Sequence, residues 1–318
     1  MQVHSNGLTF DVEEFGDPEA TPLLLVMGLA MPAAAWPDEF IDRLVEHGLR
    51  VIRFDNRDVG GSSRVRGGRV QSVQAAMARA LLRLPVHAPY TLDDMAKDAI
   101  GILDALGIRR AHVVGASMGG MIAQVIAARY PDRVATLTSI MSSSGNPSPR
   151  VAFGSPWALR TLLRRPGRLD NVEAITDHLM HVFGVIGSPG FRAEPHVARA
   201  HIKRVAQRGY DPRGAERQML AILASGDRRT LLGHITAPAL VIHGADDPLV
   251  PLAAGIDTAK HIPGAQLKII PGMGHDFAPA LQPVLAEAIA AHIRRVPVLR
   301  EADVMPAGAV PVADPTSA

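Results

Sequence analysis

The stretch Ala111-His112-Val113-Val114-Gly115-Ala116-Ser117-Met118-Gly119 carries an apolar run into a helical one. Its first four residues read as a short buried strand. After it, Met121, Ile122, Val125, Ile126 and Tyr130 recur at three- and four-residue steps, which predicts a helix with one apolar face. Ser117 stands at the turn between Gly115 and Gly119. A strand-to-helix turn this sharp leaves no room for side chains at the flanking positions, which is the physical content of the pattern G-x-S-x-G. The turn strains the serine and lifts its hydroxyl above the sheet edge, near the positive end of the helix dipole.

Outward from this point, strand-like and helix-like stretches alternate. Residues 22–27 are a continuous apolar run of the kind that strands covered on both faces show, 49–54 reads as the next strand, 134–141 as another buried strand and 8–14 as an earlier one. Phe40, Ile41, Leu44 and Val45 give the helix after Trp36-Pro37 its buried side. Thr91-Leu92-Asp93-Asp94 resembles a capping box with Asp94 where glutamate is usual, and Met95, Ala99, Ile102, Leu103 and Leu106 follow on one helical face. A further helix is expected around 73–84, after a basic, glycine-rich stretch that the pattern leaves open. This alternation predicts an α/β fold with a doubly wound, mostly parallel sheet. The rhythm breaks at 142–149, which is rich in Ser, Gly and Pro, and the following residues to 233 read as helical and arginine-rich. Strands at 239–243 and 266–270 and helices at 252–260 and 284–295 resume it. The expected division is a core of 1–144 and 234–296, an inserted helical segment of 145–233, and a disordered tail of 297–318.

Composition narrows the class. The 318 residues include no cysteine, so disulfides, thiolate metal sites and a cysteine nucleophile are excluded. A net charge of +2 argues against a nucleic-acid partner. No apolar run approaches the ~20 residues that span a bilayer. The first residues lack a basic segment followed by an apolar one, so no export signal is read and a cytoplasmic location is expected. No H-E-x-x-H and no cluster of histidines and carboxylates at ligand spacing occurs, so no metal is expected. Residues 146–233 hold 14 Lys and Arg against 7 Asp and Glu, a local charge of +7 that leaves −5 for the rest. That excess reads as a solvated face, with attraction of anionic substrates as the alternative.

Three chemical features fall in one order: Ser117, a carboxylate at Asp246 or Asp247, and His275. Each follows the C-terminal end of a predicted parallel strand, and in an open sheet those ends converge on one edge. A serine hydroxyl is a weak nucleophile until an imidazole takes its proton, and the imidazole needs a carboxylate to fix its tautomer. Most of the 13 histidines are expected on the surface or in the core. His275 differs because it ends the glycine-rich loop Pro271-Gly272-Met273-Gly274 after a late strand. His112 and His243 lie within strands and His292 within the closing helix, and these three are read as structural.

These residues resemble the α/β-hydrolase family. Gly244-Ala245-Asp246-Asp247-Pro248-Leu249-Val250-Pro251 resembles its G-x-x-D-x-x-x-P segment, which assigns the acid to Asp247 and leaves Asp246 as a turn residue. Over 22–295, and loosely within 145–233, the chain is similar to small bacterial serine esterases of the aclacinomycin methylesterase type. The resemblance implies a helical cap at 145–233 and an oxyanion hole made by the backbone amides of Leu29 and Met118. Met27 stands where many members have a histidine, which alters the loop's support but not a backbone donor. Asp55-x-Arg57-x-x-Gly60-x-Ser62 resembles the family turn D-x-R-G-x-G-x-S with Asp58 in place of the first glycine, and is read as scaffold. The implied activity is cofactor-free hydrolysis of a small, apolar carboxylic ester. Lactone, C–C, aminopeptidase and perhydrolysis reactions run on the same residues and stay open. A non-catalytic ligand-binding protein on this fold is the reading from another class.

Overall fold

The computed structural model describes residues 1–65, 71–152, 154–164, 167 and 171–296. The expected tail at 297–318 and part of the glycine-rich stretch after Val65 lie outside the described residues. Eight described strands form one sheet in the order β1-β2-β4-β3-β5-β6-β7-β8. They are β1 (Gln2–Ser5), β2 (Leu8–Phe15), β3 (Thr21–Val26), β4 (Leu49–Phe54), β5 (Ala111–Ala116), β6 (Val134–Ile140), β7 (Ala239–Gly244) and β8 (Gln266–Ile270). β1 and β2 run antiparallel and every pair from β4 to β8 is parallel. β1 is absent from the pattern read above. Its signal is Asn6-Gly7, a hairpin dipeptide whose two residues both take positive φ, 49° and 74°.

The helices of the sheet are α1 (Asp38–Glu46), α2 (Val73–Leu81), α3 (Leu92–Ala105) and α4 (Met118–Arg129). Those after β6 are α5 (Pro149–Ala152), α6 (Pro156–Leu162), α7 (Val172–Ile186), α8 (Pro195–Gln207), α9 (Pro212–Ser225) and α10 (Arg229–Leu232); α11 (Leu252–His261) and α12 (Gln282–Ile293) follow β7 and β8. Thr91 and Asp94 close a reciprocal capping box at the start of α3. Alternation along β3 divides the core: Leu24 and Val26 join α3 and α4 on one face, while Leu23 and Leu25 join α1 and α12 on the other. α4 departs from the one-sided helix expected. Residues 118–127 are all buried, Gln124 included, because α4 sits between the sheet, α3 and α10.

The basic excess of residues 146–233 also has a structural use. Arg208, just after α8, reaches Glu13 at 2.7 Å, Asp11 at 2.8 Å and Asp55 at 3.2 Å. Arg217 of α9 forms a two-pronged pair with Asp58 at 2.8 and 2.7 Å. Helix α9 approaches this turn so closely that a Cβ on Gly214 would strike the Asp58 carbonyl oxygen. The positive segment and the negative remainder of the chain are therefore complementary at their contact, and these arginines are not part of a merely solvated face.

Candidate active site

The parallel register brings the strand ends level. Val26 pairs with Gly115, Ala116 with Ile140, Ile140 with Ile242, and Gly244 with Ile270. The loops that leave these ends carry Leu29, Ser117, Asp247 and His275, so one sheet edge collects residues up to 246 positions apart in the chain.

Ser117 adopts φ 55° and ψ −119°, a conformation that a residue with a Cβ enters only under constraint. Three contacts impose it: the Ser117 N–H donates to the Ile140 carbonyl at 2.9 Å, and its own carbonyl accepts from Met121 N–H at 3.2 Å and Ser142 Oγ at 2.7 Å. The glycines act as the sequence suggests. A Cβ on Gly119 would strike the Val26 carbonyl oxygen, and one on Gly115 the Gly119 carbonyl oxygen. Ser117 Oγ lies 3.0 Å from His275 Nε2, and His275 Nδ1 lies 2.7 Å from Asp247 Oδ2. A carboxylate only accepts, so Nδ1 carries the proton and Nε2 is left as the acceptor facing the serine.

Asp247 is fully buried, and its other oxygen accepts the N–H groups of Leu249 and Val250, each at 2.9 Å. Asp246 instead accepts from Gly272 N–H at 2.7 Å, within the turn. His243 lies beside the acid, with Nε2 3.8 Å from Asp247 Oδ2 and 2.8 Å from the Val250 carbonyl, to which it donates. Burial holds the His243 pKa below the usual imidazole range, so at neutral pH it adds no charge next to Asp247.

The histidine loop is stitched to the loop after α7. His275 N–H donates to the Ile186 carbonyl at 2.7 Å, Gly190 N–H to the Gly272 carbonyl at 2.9 Å, and Gly274 N–H to Ser188 Oγ at 2.8 Å. The Ser188 hydroxyl in turn donates to Asp276, whose carboxyl is pushed up by burial. Trp36 does not face the site. It is fully buried, stacked on Phe40 at 5.6 Å and against Phe277 at 4.7 Å.

A family model described as the alpha/beta hydrolase fold matches residues 21–278. The chain belongs to the α/β-hydrolase family. This α/β-hydrolase is 31% identical to rhodomycin D methylesterase DnrP of Streptomyces peucetius, over 93% of the chain and 98% of that protein. It is 32% identical to a poly(3-hydroxyalkanoate) depolymerase of Ectopseudomonas oleovorans, over 85% of the chain and 84% of that protein. An enol-lactonase of Burkholderia xenovorans superposes with a TM-score of 0.69 at 22% identity, covering 92% of this chain and all of that one, a likeness of fold. The α/β-hydrolase is a hydrolytic enzyme with esterase relatives. Among its described residues no helix is long and apolar enough to cross a membrane.

The sequence reading did not single out Ser142, Asn56 or Gln218. Ser142 opens the Ser-, Gly- and Pro-rich stretch where the strand–helix rhythm breaks, yet it holds the Ser117 carbonyl. Asn56 Nδ2 donates to the Met27 carbonyl at 2.9 Å, and Gln218 Oε1 accepts from Ala30 N–H at 2.8 Å. Asn56 falls on an unspecified position of the turn Asp55-x-Arg57-x-x-Gly60-x-Ser62. Gln218 carried no signal, because a glutamine in a helix ordinarily faces water.

Proposed function

We propose that the enzyme hydrolyses a small, apolar carboxylic ester through an acyl-serine intermediate. The observation that carries this is the continuous hydrogen-bonded line from Ser117 Oγ through His275 to Asp247, at 3.0 and 2.7 Å. Ser117 attacks the ester carbonyl while His275 Nε2 takes its proton. The same imidazole then returns that proton to the departing alkoxide, and Asp247 stabilises the imidazolium in between. In the second half, water attacks the acyl-enzyme with His275 as base, the acyl–Oγ bond breaks to release the carboxylic acid, and the imidazole returns the proton to Ser117 Oγ. The backbone amides of Leu29 and Met118 bind the oxyanion in both halves. Met118 opens α4, where first-turn N–H groups lack helical acceptors. Gly28 brings the other loop against the nucleophile, since a Cβ there would lie 3.2 Å from Ser117 Cβ.

In this reading residues 145–233 form a cap over the edge of a core made of 1–144 and 234–296. No cofactor enters the reaction, and the partner is the small-molecule ester. The methylesterase relative makes a methyl ester, with methanol as the departing alcohol, the first natural-type substrate to test. The direct experiment compares wild type with Ser117→Ala on p-nitrophenyl esters of increasing acyl length. Turnover should fall about 10⁶-fold in the variant, and a fluorophosphonate should label Ser117 stoichiometrically in wild type. Wild-type turnover by Ser117→Ala would overturn the mechanism. Neither turnover nor labelling in wild type would favour a ligand-binding protein.

A further inference from the structure

We propose that Gln218, on α9, is a positioning residue for the oxyanion hole, so that the helices between β6 and β7 complete the catalytic machinery as well as adjoining it. The inference rests on the acyl-serine reading above. Its basis is the hydrogen bonding of three consecutive peptide groups in the loop after β3.

The first peptide, Met27–Gly28, has its carbonyl held by Asn56 Nδ2 at 2.9 Å. The third, Leu29–Ala30, has its N–H held by Gln218 Oε1 at 2.8 Å. Between them lies the Gly28–Leu29 peptide, which carries the Leu29 N–H. Its carbonyl accepts from Met31 N–H only at 3.4 Å, a long bond. In a planar trans peptide the N–H points opposite to the C=O, so this contact turns the Leu29 N–H away from Met31. A contact that long does little to stop the peptide from rotating. The pinned planes on either side restrict it, because the middle plane turns only through backbone torsions it shares with them.

The loop needs such restraint. Gly28 is conformationally permissive, and Ala30 is held at φ 59°, a left-handed conformation that a residue with a Cβ leaves readily when released. Met27 supplies no polar side chain where relatives of the family pattern carry histidine. Farther along, Asp55 Oδ1 accepts from Ala33 N–H at 2.6 Å and Arg53 donates to the Trp36 carbonyl at 2.9 Å, but both act beyond the donor peptide.

Gln218 is itself fixed. It is fully buried, and its Nε2 donates to the Arg57 carbonyl at 2.8 Å. Arg57 belongs to the same turn as Asn56, so one amide ties the oxyanion loop, the β4 turn and α9 together. Both polar ends of the side chain are used, and neither Leu nor Met could reproduce them.

The test uses the full chain and p-nitrophenyl butyrate. Gln218→Met should lower kcat by about 10- to 100-fold, less than the loss of a whole oxyanion donor, while KM stays within about threefold. Affinity for an alkyl trifluoromethyl ketone, whose adduct with the serine carries the oxyanion, should fall by a similar factor. The pH dependence of kcat/KM should keep its midpoint, because His275 and Asp247 are untouched. Gln218→Asn, which keeps the amide but shortens its reach by one methylene, gives the same outcome if the methionine variant does not fold. Wild-type kcat and ketone affinity in a folded Gln218 variant would overturn the inference, as would a loss confined to KM. Failure of the acyl-serine reading is separately visible, as turnover that survives Ser117→Ala.

Discussion

Replacing Asp58 by glycine restores the residue that the family turn carries at this position, and it should nonetheless destabilise the protein. Asp58 takes φ 71°, so glycine relieves about 1 kcal/mol of left-handed strain. The greater freedom of glycine in the unfolded chain takes back roughly 0.5–1 kcal/mol of that. The two backbone effects nearly cancel, and the side chain decides. Its fully buried carboxylate accepts two bonds from Arg217, one from Tyr90 Oη at 2.7 Å and one from Val65 N–H at 2.8 Å. Burial first, and then Asp58, push the Tyr90 phenol up, so it stays a donor. Without Asp58, Arg217 keeps Asp211 at 3.5 Å. Removing one partner of a buried ion pair costs about 3–5 kcal/mol, and a drop in Tm of roughly 6–10 °C follows at about 2 °C per kcal/mol for a chain of this size. Urea unfolding of Asp58→Gly, Arg217→Met and the double variant measures the pair directly. The double variant should cost about 2–3 kcal/mol less than the sum of the singles. A wild-type midpoint for Asp58→Gly, or strict additivity, would refute the reasoning.

The two adjacent aspartates should separate cleanly by kinetics: Asp247→Asn lowers kcat by about 10⁴-fold, whereas Asp246→Asn stays within a few fold of wild type; p-nitrophenyl butyrate turnover checks both. Stability should also fall in mild acid. Burial, then the charges of His292 and Arg110, hold His112 down to about 4 from 6.5, so the unfolded state binds the proton first and stability present above pH 6.5 is lost as pH falls through 4. The loss is about 3 kcal/mol, and in His112→Gln the urea midpoint should change correspondingly less between those pH values.

The parallel part of the sheet and the collected site were legible because their signals are local. Continuous apolar runs mark strands buried on both faces, and Gly115 and Gly119 mark a turn in which a Cβ has no space. Local pattern leaves Asp246 and Asp247 open, and only the resemblance to the family's G-x-x-D-x-x-x-P segment assigns the acid to Asp247. The first strand has an equally local mark in Asn6-Gly7, at its turn rather than in its own four residues. What local pattern does not hold is pairing across long separations. Whether Arg208 and Arg217 face water or reach Asp55 and Asp58 depends on how α8 and α9 dock, and Gln218 is 188 residues from the Ala30 N–H it holds. The all-round burial of α4 is of the same kind, since a helix enclosed by α3, α10 and the sheet needs no polar side.

The seam between the histidine loop and the loop after α7 bears on how this enzyme can change. Two of its bonds, His275 to Ile186 and Gly190 to Gly272, join backbone to backbone and so do not depend on which side chains those residues carry. Close approach there requires glycine at a few places: a Cβ on Gly190 would come within 2.8 Å of the Gly272 Cα, and one on Gly274 within 2.5 Å of the Gly187 carbonyl oxygen. A Cβ on Gly187, the first residue of that loop, would likewise lie 2.5 Å from the Phe183 carbonyl oxygen, so exchange that leaves the imidazole in place is confined to the loop residues other than Gly187, Ser188 and Gly190. Evolution, or a mutagenesis library, is thereby free to vary the remaining residues of that loop while the position of His275 is inherited intact.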